Sequence, residues 1–165
     1  MSHRIAANLV LASDGGATIN GSSTGLSFPA DRRRFHQLRK GFDAILIGGN
    51  TARNEPYQKT PLPLIVLSHS ELPPKIAANP QAVRWDLPIA QAIVRATQEY
   101  GDLLIEAGPK LVREALSMGL VTELFLTISR STSGENQVNI AELTRGAVEI
   151  SREESDGGFL LRYQF

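Results

Sequence analysis

The residues with the clearest chemical use lie between 103 and 118. An apolar run, Leu103-Leu104-Ile105, stops at Glu106, and Ala107-Gly108 makes a tight turn. Pro109 suits the first position of a helix, where its missing N–H is not needed. Leu111, Val112, Ala115 and Leu116 recur at helical spacing, and Gly119 can end the helix. A strand that feeds a helix through glycine presents unpaired N–H groups with partial positive charge, a ready seat for phosphate. Glu106 then sits at the carboxyl end of a strand, where open α/β sheets place their ligands. Such turns also occur in α/β proteins that bind nothing there, so the turn alone does not decide function.

Other segments offer related chemistry. The apolar run 43–47 leads into Gly48-Gly49-Asn50-Thr51, a second turn of the same style. Glycines there let a backbone approach a ligand closely, and Thr51 can cap a short helix or donate to a phosphate. Neither turn is the Gly-x-Gly-x-x-Gly dinucleotide fingerprint or a Walker loop. Arg32, His36 and Arg39 share a helical stripe, which is either a solvated basic face or an anion-facing one with Arg39 as a bidentate fork. Ser68-His69-Ser70 closes a third apolar run, where it could hold a phosphate or simply begin a loop.

These residues need positioning elements. Residues 5–12 read as a buried strand, followed by a polar segment, 13–27, that is either a mobile surface loop or a cover for a ligand. A helix is expected from Pro29 to about Lys40, with Phe35, Leu38 and Phe42 on one side. Strands are expected at 43–47, 64–67 and 82–85, with a loop through Pro73-Pro74 and Asn79-Pro80. Asp86 is placed to cap a helix over 87–100 whose buried stripe is Ile89, Ile93, Ala96 and Tyr100. Further strands follow at 124–128 and 147–151, with an irregular stretch between them over 131–146. Asp156-Gly157-Gly158 forms a hairpin turn, and alternation over 159–165 marks the last strand. Strands separated by helices, closed by an antiparallel pair, imply an α/β fold with a mixed, mostly parallel central sheet flanked by helices.

Composition narrows the function classes. The 165 residues fit one domain with a real core. Seventeen basic and seventeen acidic residues cancel, leaving no broad basic footprint for nucleic acid, and only three Tyr and six Phe could stack on bases. Without cysteine there is no disulfide framework or thiolate, and His3, His36 and His69 lack metal-ligand spacing, so no metal site is expected. The first apolar run is too short to span a membrane and lacks a signal-peptide layout, so the expected setting is cytoplasmic.

The order of motifs resembles a known family. Asp14-Gly15 is similar to its Ser-Leu-Asp-Gly after the first strand. His36-Gln37-Leu38-Arg39 with Asp43-Ala44-Ile45-Leu46-Ile47-Gly48 is similar to its HxLR…DAILVG segment. Gly49-Asn50-Thr51 is similar to its Gly-x-x-Thr turn, and Glu106-Ala107-Gly108-Pro109 with Gly119-Leu120-Val121-Thr122-Glu123-Leu124 to its EGGPxL…AGLVDEL. Over about residues 5–129 the chain thus resembles the reductase domain of the riboflavin-biosynthesis deaminase-reductase and its stand-alone pyrimidine reductase relatives, which share the dihydrofolate reductase fold. The resemblance implies a single reductase domain over 1–165 with no deaminase domain, working as a homodimer. It implies NADPH-dependent reduction of the ribosylamino group of a phosphorylated pyrimidine to ribitylamino.

Carried over residue by residue, the resemblance places Gly108, Pro109, Lys110 and Leu111 at the cofactor pyrophosphate, and Gly49 and Thr51 against the cofactor from the other turn. Ser68 and His69 fall near the adenosine 2′-phosphate. Asp14, Ser23 and Arg39 fall at the substrate, Arg39 matching the family's phosphate-binding arginine. Glu106 becomes the substrate-orienting carboxylate and a candidate proton relay, with Glu55 as a stand-in acid beside the nicotinamide. A carboxyl acting as an acid near neutral pH would need burial to raise its pKa. The chain departs from the pattern at Ala12, where the family has serine, and at Lys110, where it has threonine. After Pro56 the family's second phosphate-binding arginine is missing, and Lys59 is the remaining candidate. A related NADPH reductase with a different small substrate, or a nucleotide-binding module without turnover, stays open as an alternative.

Overall fold

Near-continuous apolar runs become parallel strands because such strands are covered on both faces. The computed structural model describes residues 2–106, 108–130 and 133–165. Its elements in chain order are β1 (Ile5–Ala12), α1 (Pro29–Arg39), β2 (Ala44–Gly48), α2 (Gly49–Asn54), β3 (Leu64–Leu67), α3 (Pro74–Ala77), β4 (Ala82–Trp85), α4 (Ile89–Glu99), β5 (Leu103–Ile105), α5 (Pro109–Ser117), β6 (Glu123–Ser129), α6 (Ile140–Leu143), β7 (Val148–Ser155) and β8 (Gly158–Gln164). Among the described residues the strands make one sheet in the order β4-β3-β2-β5-β1-β6-β8-β7. The first six strands of that order are parallel, and β8 and β7 add an antiparallel edge, as the alternation over 159–165 implies.

The strand alternation sorts the core into two layers. Leu46, Ile65, Leu103 and Ile105 pack against Ala92 and Ile93 of α4 and Val112 and Ala115 of α5. Ile45, Ile47, Leu64 and Val66 point the other way, to Ala52 of α2 and Ile76 of α3. On that second face Leu38 of α1 packs near Ala6, Leu104 and Phe125. The helix after β2 therefore leads one way across the sheet, and the helix after β5 leads the other way on the opposite face. Strands β2 and β5 are neighbours. Their carboxyl ends flank a topological switch point, where doubly wound sheets open a crevice.

Several local expectations change. Asp86 does not cap α4, whose N-cap is Pro88; its carboxylate meets His69 Nδ1 instead. The loop over 72–81 contains α3, which buries Ile76, so an apolar residue between prolines was enough to fold a turn of helix. The stretch over 131–146 contains α6, capped by Asn139, whose side chain accepts from the Glu142 N–H at 3.1 Å. Segment 13–27 is stitched to residues 134–138. The Ala17 N–H donates to the Glu135 carbonyl and the Glu135 N–H to the Thr18 carbonyl, both at 2.7 Å. The N–H of Val138 donates to the Gly15 carbonyl at 2.8 Å. Among the described residues no helix is long and apolar enough to cross a membrane.

Candidate active site

The switch point opens a cleft of about 1170 Å³ at the carboxyl ends of the strands, floored by Asn8 and Val10 of β1 and walled by α1 and the turns after β2, β3 and β5. Its two halves differ in chemistry.

In one half the two glycine turns lie side by side. Gly48 caps α2 and Gly108 caps α5, both with extended backbone. A Cβ on Gly108 would stand 3.9 Å from the Thr51 hydroxyl, and one on Gly48 would stand 3.6 Å from Leu111 Cδ2. The absent carbons keep the space between the two turns open. The first N–H groups of both helices and the Lys110 ammonium border the same opening, which suits a polyphosphate. Ser68 and His69 stand on the rim at the end of β3. Arg53, which sequence reasoning missed, reaches this place: a Cβ on Gly49 would meet both Arg53 Nη1 and Ser68 Oγ at 3.2 Å. Its position in a helical turn facing Gly49 is the signal that would have found it.

In the other half a buried cluster closes the floor. Arg39, in the last turn of α1, donates from Nε to Glu106 Oε2 at 2.9 Å and from Nη2 to Glu106 Oε1 at 2.7 Å. Tyr57 donates its hydroxyl to the same Oε1 at 2.8 Å. The Glu106 side chain is 2% exposed and that of Arg39 is 9% exposed. The guanidinium stacks over the Phe35 ring at 4.2 Å. Burial works against the Arg39 charge, but the Glu106 hydrogen bonds and charge outweigh it and hold the guanidinium above its ordinary value. Glu106 thus spends both oxygens on neighbours within the protein, and Arg39 spends its Nε–Nη2 edge.

Burial, and then the adjacent Glu106 charge, push the Tyr57 phenol well above 10.0. Below that pH both the folded and the unfolded chain keep the phenol proton. Above it the unfolded chain gives the proton up first, so stability falls as pH rises. Melting temperature is expected to drop above pH 10.0 in the wild-type protein, and Tyr57→Phe should lose that component of the drop. Parallel melting curves of the two proteins check this.

Two carboxylates have roles the sequence did not disclose. Glu55 accepts the Ser23 N–H at 2.6 Å and the Ser22 hydroxyl at 3.2 Å, so it ties the 22–24 turn to the edge of the cleft. Asp31 is buried and lines the cleft, accepting from Ser27 Oγ and Thr127 Oγ1, each at 2.6 Å. Each of its oxygens keeps acceptor capacity for a ligand. Asp31 stands in the first turn of α1, where acids are common, and the proximity of Thr127 on β6 distinguishes it.

The cleft brings together Ser23, Arg39, Gly49, Thr51, Glu55, Ser68, His69, Glu106, Gly108, Pro109, Lys110 and Leu111. It does not bring in Asp14. That carboxylate accepts from the N–H groups of Gly16 at 2.9 Å and Gly134 at 3.3 Å, and from the Gln137 amide at 3.0 Å. It latches the base of the 13–27 segment, and those bonds hold it below the usual carboxylate range. Ala107, part of the motif at the turn, lies outside the described residues.

A profile of the RibD C-terminal domain matches residues 4–144. A search of curated proteins returns no significant match. Among solved structures, a pyrimidine reductase-like protein from Corynebacterium diphtheriae is 22% identical with a TM-score of 0.74, covering 98% of this chain and 91% of that one. RibD from Acinetobacter baumannii is 16% identical with a TM-score of 0.76, over 98% of this chain and 58% of that one. A diaminohydroxyphosphoribosylaminopyrimidine deaminase/5-amino-6-(5-phosphoribosylamino)uracil reductase from Thermotoga maritima is 15% identical with a TM-score of 0.73, over 98% of this chain and 56% of that one. The chain therefore spans little more than half the length of the two larger proteins, and at these identities the likeness is one of fold. With the profile covering most of its length, the chain belongs to the RibD C-terminal domain family.

Proposed function

We propose that this protein is an NADPH-dependent reductase that converts the ribosylamino group of a phosphorylated pyrimidine to a ribitylamino group, as in riboflavin biosynthesis. The observation that carries this reading is the pair of glycine turns lying side by side at the switch point, in the same cleft as the Arg39–Glu106–Tyr57 cluster. Gly49, Thr51, Gly108, Pro109, Lys110 and Leu111 would hold the cofactor pyrophosphate. Ser68, His69 and Arg53 would meet the 2′-phosphate. A bound nicotinamide supplies the hydride.

The protein's own residues orient and enclose. Glu55 holds the 22–24 turn, including Ser23, over the cleft. The Asp31 carboxylate suits the amino and ring N–H donors of an aminopyrimidine. Arg39 would serve the phosphate end. Glu106, engaged by Arg39 and Tyr57, is better suited to holding Arg39 than to relaying a proton. By the same family resemblance the working form is a cytoplasmic homodimer. The lack of an arginine after Pro56 favours, as a second reading, the same cofactor with a different phosphorylated substrate.

The test is a turnover assay with the purified protein, NADPH and the deaminated ribosylaminopyrimidine phosphate. Stoichiometric oxidation of NADPH with appearance of the ribityl product is expected. Saturable NADPH binding without turnover of this compound would move the second reading to the front.

A further inference from the structure

Asp31 is a buried carboxylate without an ion pair. It is 7% exposed and lines the main cleft, and among the described residues no lysine, arginine or histidine meets it directly. Its partners are two hydroxyls: Ser27 Oγ donates to Oδ2 and Thr127 Oγ1 to Oδ1, each at 2.6 Å. Arg34 fixes the second of these donations. Its Nη2 donates to Thr127 Oγ1 and its Nη1 to the Leu161 carbonyl, both at 2.9 Å. The Thr127 oxygen therefore accepts from Arg34 and spends its single proton on Asp31. Both carboxylate oxygens are thus held, and each keeps lone-pair capacity. A buried charge is ordinarily paired, and the cleft is the side from which a partner can come.

Two side-by-side N–H donors complete such a carboxylate, one to each oxygen. A pyrimidine with an amino group at position 2 and a carbonyl at position 4 offers that pair, the 2-amino N–H beside the N3–H. A 2,4-dioxo ring has a carbonyl on each side of N3–H, so one carboxylate oxygen would face a carbonyl oxygen. The side-by-side pair that the dioxo ring does have is N1–H with the N–H of the ribosylamino group. That nitrogen belongs to the reacting group, which has to be turned to the nicotinamide.

We propose that the cleft selects a ribosylaminopyrimidine phosphate that still carries its 2-amino group over the 2-oxo form, and that Asp31 reads the 2-amino and N3–H edge. Thr127 and Arg34 are positioning residues that act through Asp31. The redox step is the same for either ring. A hydride from NADPH adds to the sugar C1′ as the C1′–O4′ bond opens, O4′ takes a proton from water, and NADP⁺ is left. A hydrolytic deamination at position 2 would then follow this reduction and consume its product. The inference deepens the pyrimidine-reductase reading of the cleft and rests on it.

The test compares two ribosylaminopyrimidine phosphates that differ only at position 2, amino against oxo. Their kcat/KM values are measured with the full chain and NADPH, and calorimetry gives the affinity for each compound and for NADPH on the same samples. Wild type is expected to favour the 2-amino compound at least about tenfold in both readouts, because the 2-oxo ring leaves a buried acceptor unpaired. Asp31→Asn presents one acceptor and one donor, so the preference should turn toward the 2-oxo ring with NADPH affinity unchanged. Thr127→Val should narrow the preference several-fold, and Thr127→Ser, which keeps the hydroxyl, should retain it. A merely structural Thr127 would weaken both compounds alike and leave the ratio where it was. Equal use of the two compounds by wild type, a preference for the 2-oxo compound, or a ratio that Asp31→Asn leaves unchanged would overturn the inference. No oxidation of NADPH with either compound would count against the reductase reading, and the ratio of the two affinities would still decide the inference. Binding of neither compound would overturn both.

Discussion

Arg39→Met is expected to destabilise the protein by about 3–5 kcal/mol, the usual cost of leaving one partner of a buried ion pair without the other. The Glu106 carboxylate would keep its burial and the Tyr57 hydroxyl and lose two charge-assisted hydrogen bonds. Glu106→Gln should cost less, because the amide oxygen can still accept from the guanidinium, but it leaves a buried cation with a neutral neighbour. Arg39→Met paired with Glu106→Leu should recover part of the loss, since removing both charges avoids the stranded one. Denaturant unfolding of the three variants tests this order. A double variant no more stable than Arg39→Met would contradict the account in which the stranded Glu106 charge sets the cost. Turnover should be lost in all three, because the fork is gone or misplaced.

The second large effect is expected at Gly15. Its φ of +89° lies in the left-handed region, and an added Cβ would stand 2.2 Å from the Val138 carbonyl oxygen. That atom is backbone and cannot rotate away. Gly15→Ala should therefore cost about 3–5 kcal/mol, among the largest effects of a single methyl group. It should also open the stitching of 13–27 to 134–138, of which the Val138 N–H to Gly15 carbonyl bond is a part. Proteolysis is the direct readout: cleavage within 13–27 should quicken in Gly15→Ala before global unfolding does. Gly21→Ala is the control, since an added Cβ there meets nothing within 4 Å and the cost is its φ of +80° alone.

Gly15 also shows what the sequence could and could not say. The Asp14-Gly15 pair was readable as a motif, but it pointed to substrate. The structure gives Asp14 to three donors of the protein itself. A short-range motif carries no information about distant residues, and the Gly134 and Gln137 partners lie 120 and 123 positions away. The parallel strands and both glycine turns were legible because each depends on local signals: apolar runs, glycine, and a proline at the helix start. The placement of those turns side by side was not local, since it depends on β5 inserting between β2 and β1.

The same distinction separates the site residues. Arg39 and Glu106 were visible as a helical-stripe cation and a strand-end acid, each read as free to meet a ligand. Their mutual pairing follows from the register of β5 against β2 and from the way α1 crosses that face. Tyr57 was invisible: it stands in a turn-rich connection, with no periodicity to mark it as buried, yet it is 6% exposed. Asp31 was hidden for the opposite reason, because acids are common in the first turn of any helix. Burial beside Thr127 is what makes it unusual.

The central claim is that the crevice between the turns after β2 and β5 binds a nicotinamide dinucleotide. Direct titration of the protein with NADPH, followed by nicotinamide fluorescence, tests it most simply. The account predicts saturable one-to-one binding that Gly108→Val weakens at least tenfold without loss of fold, because the side chain would fill the space that Gly108 leaves toward Thr51. NADPH that fails to bind, or that binds Gly108→Val as tightly as wild type, would contradict it.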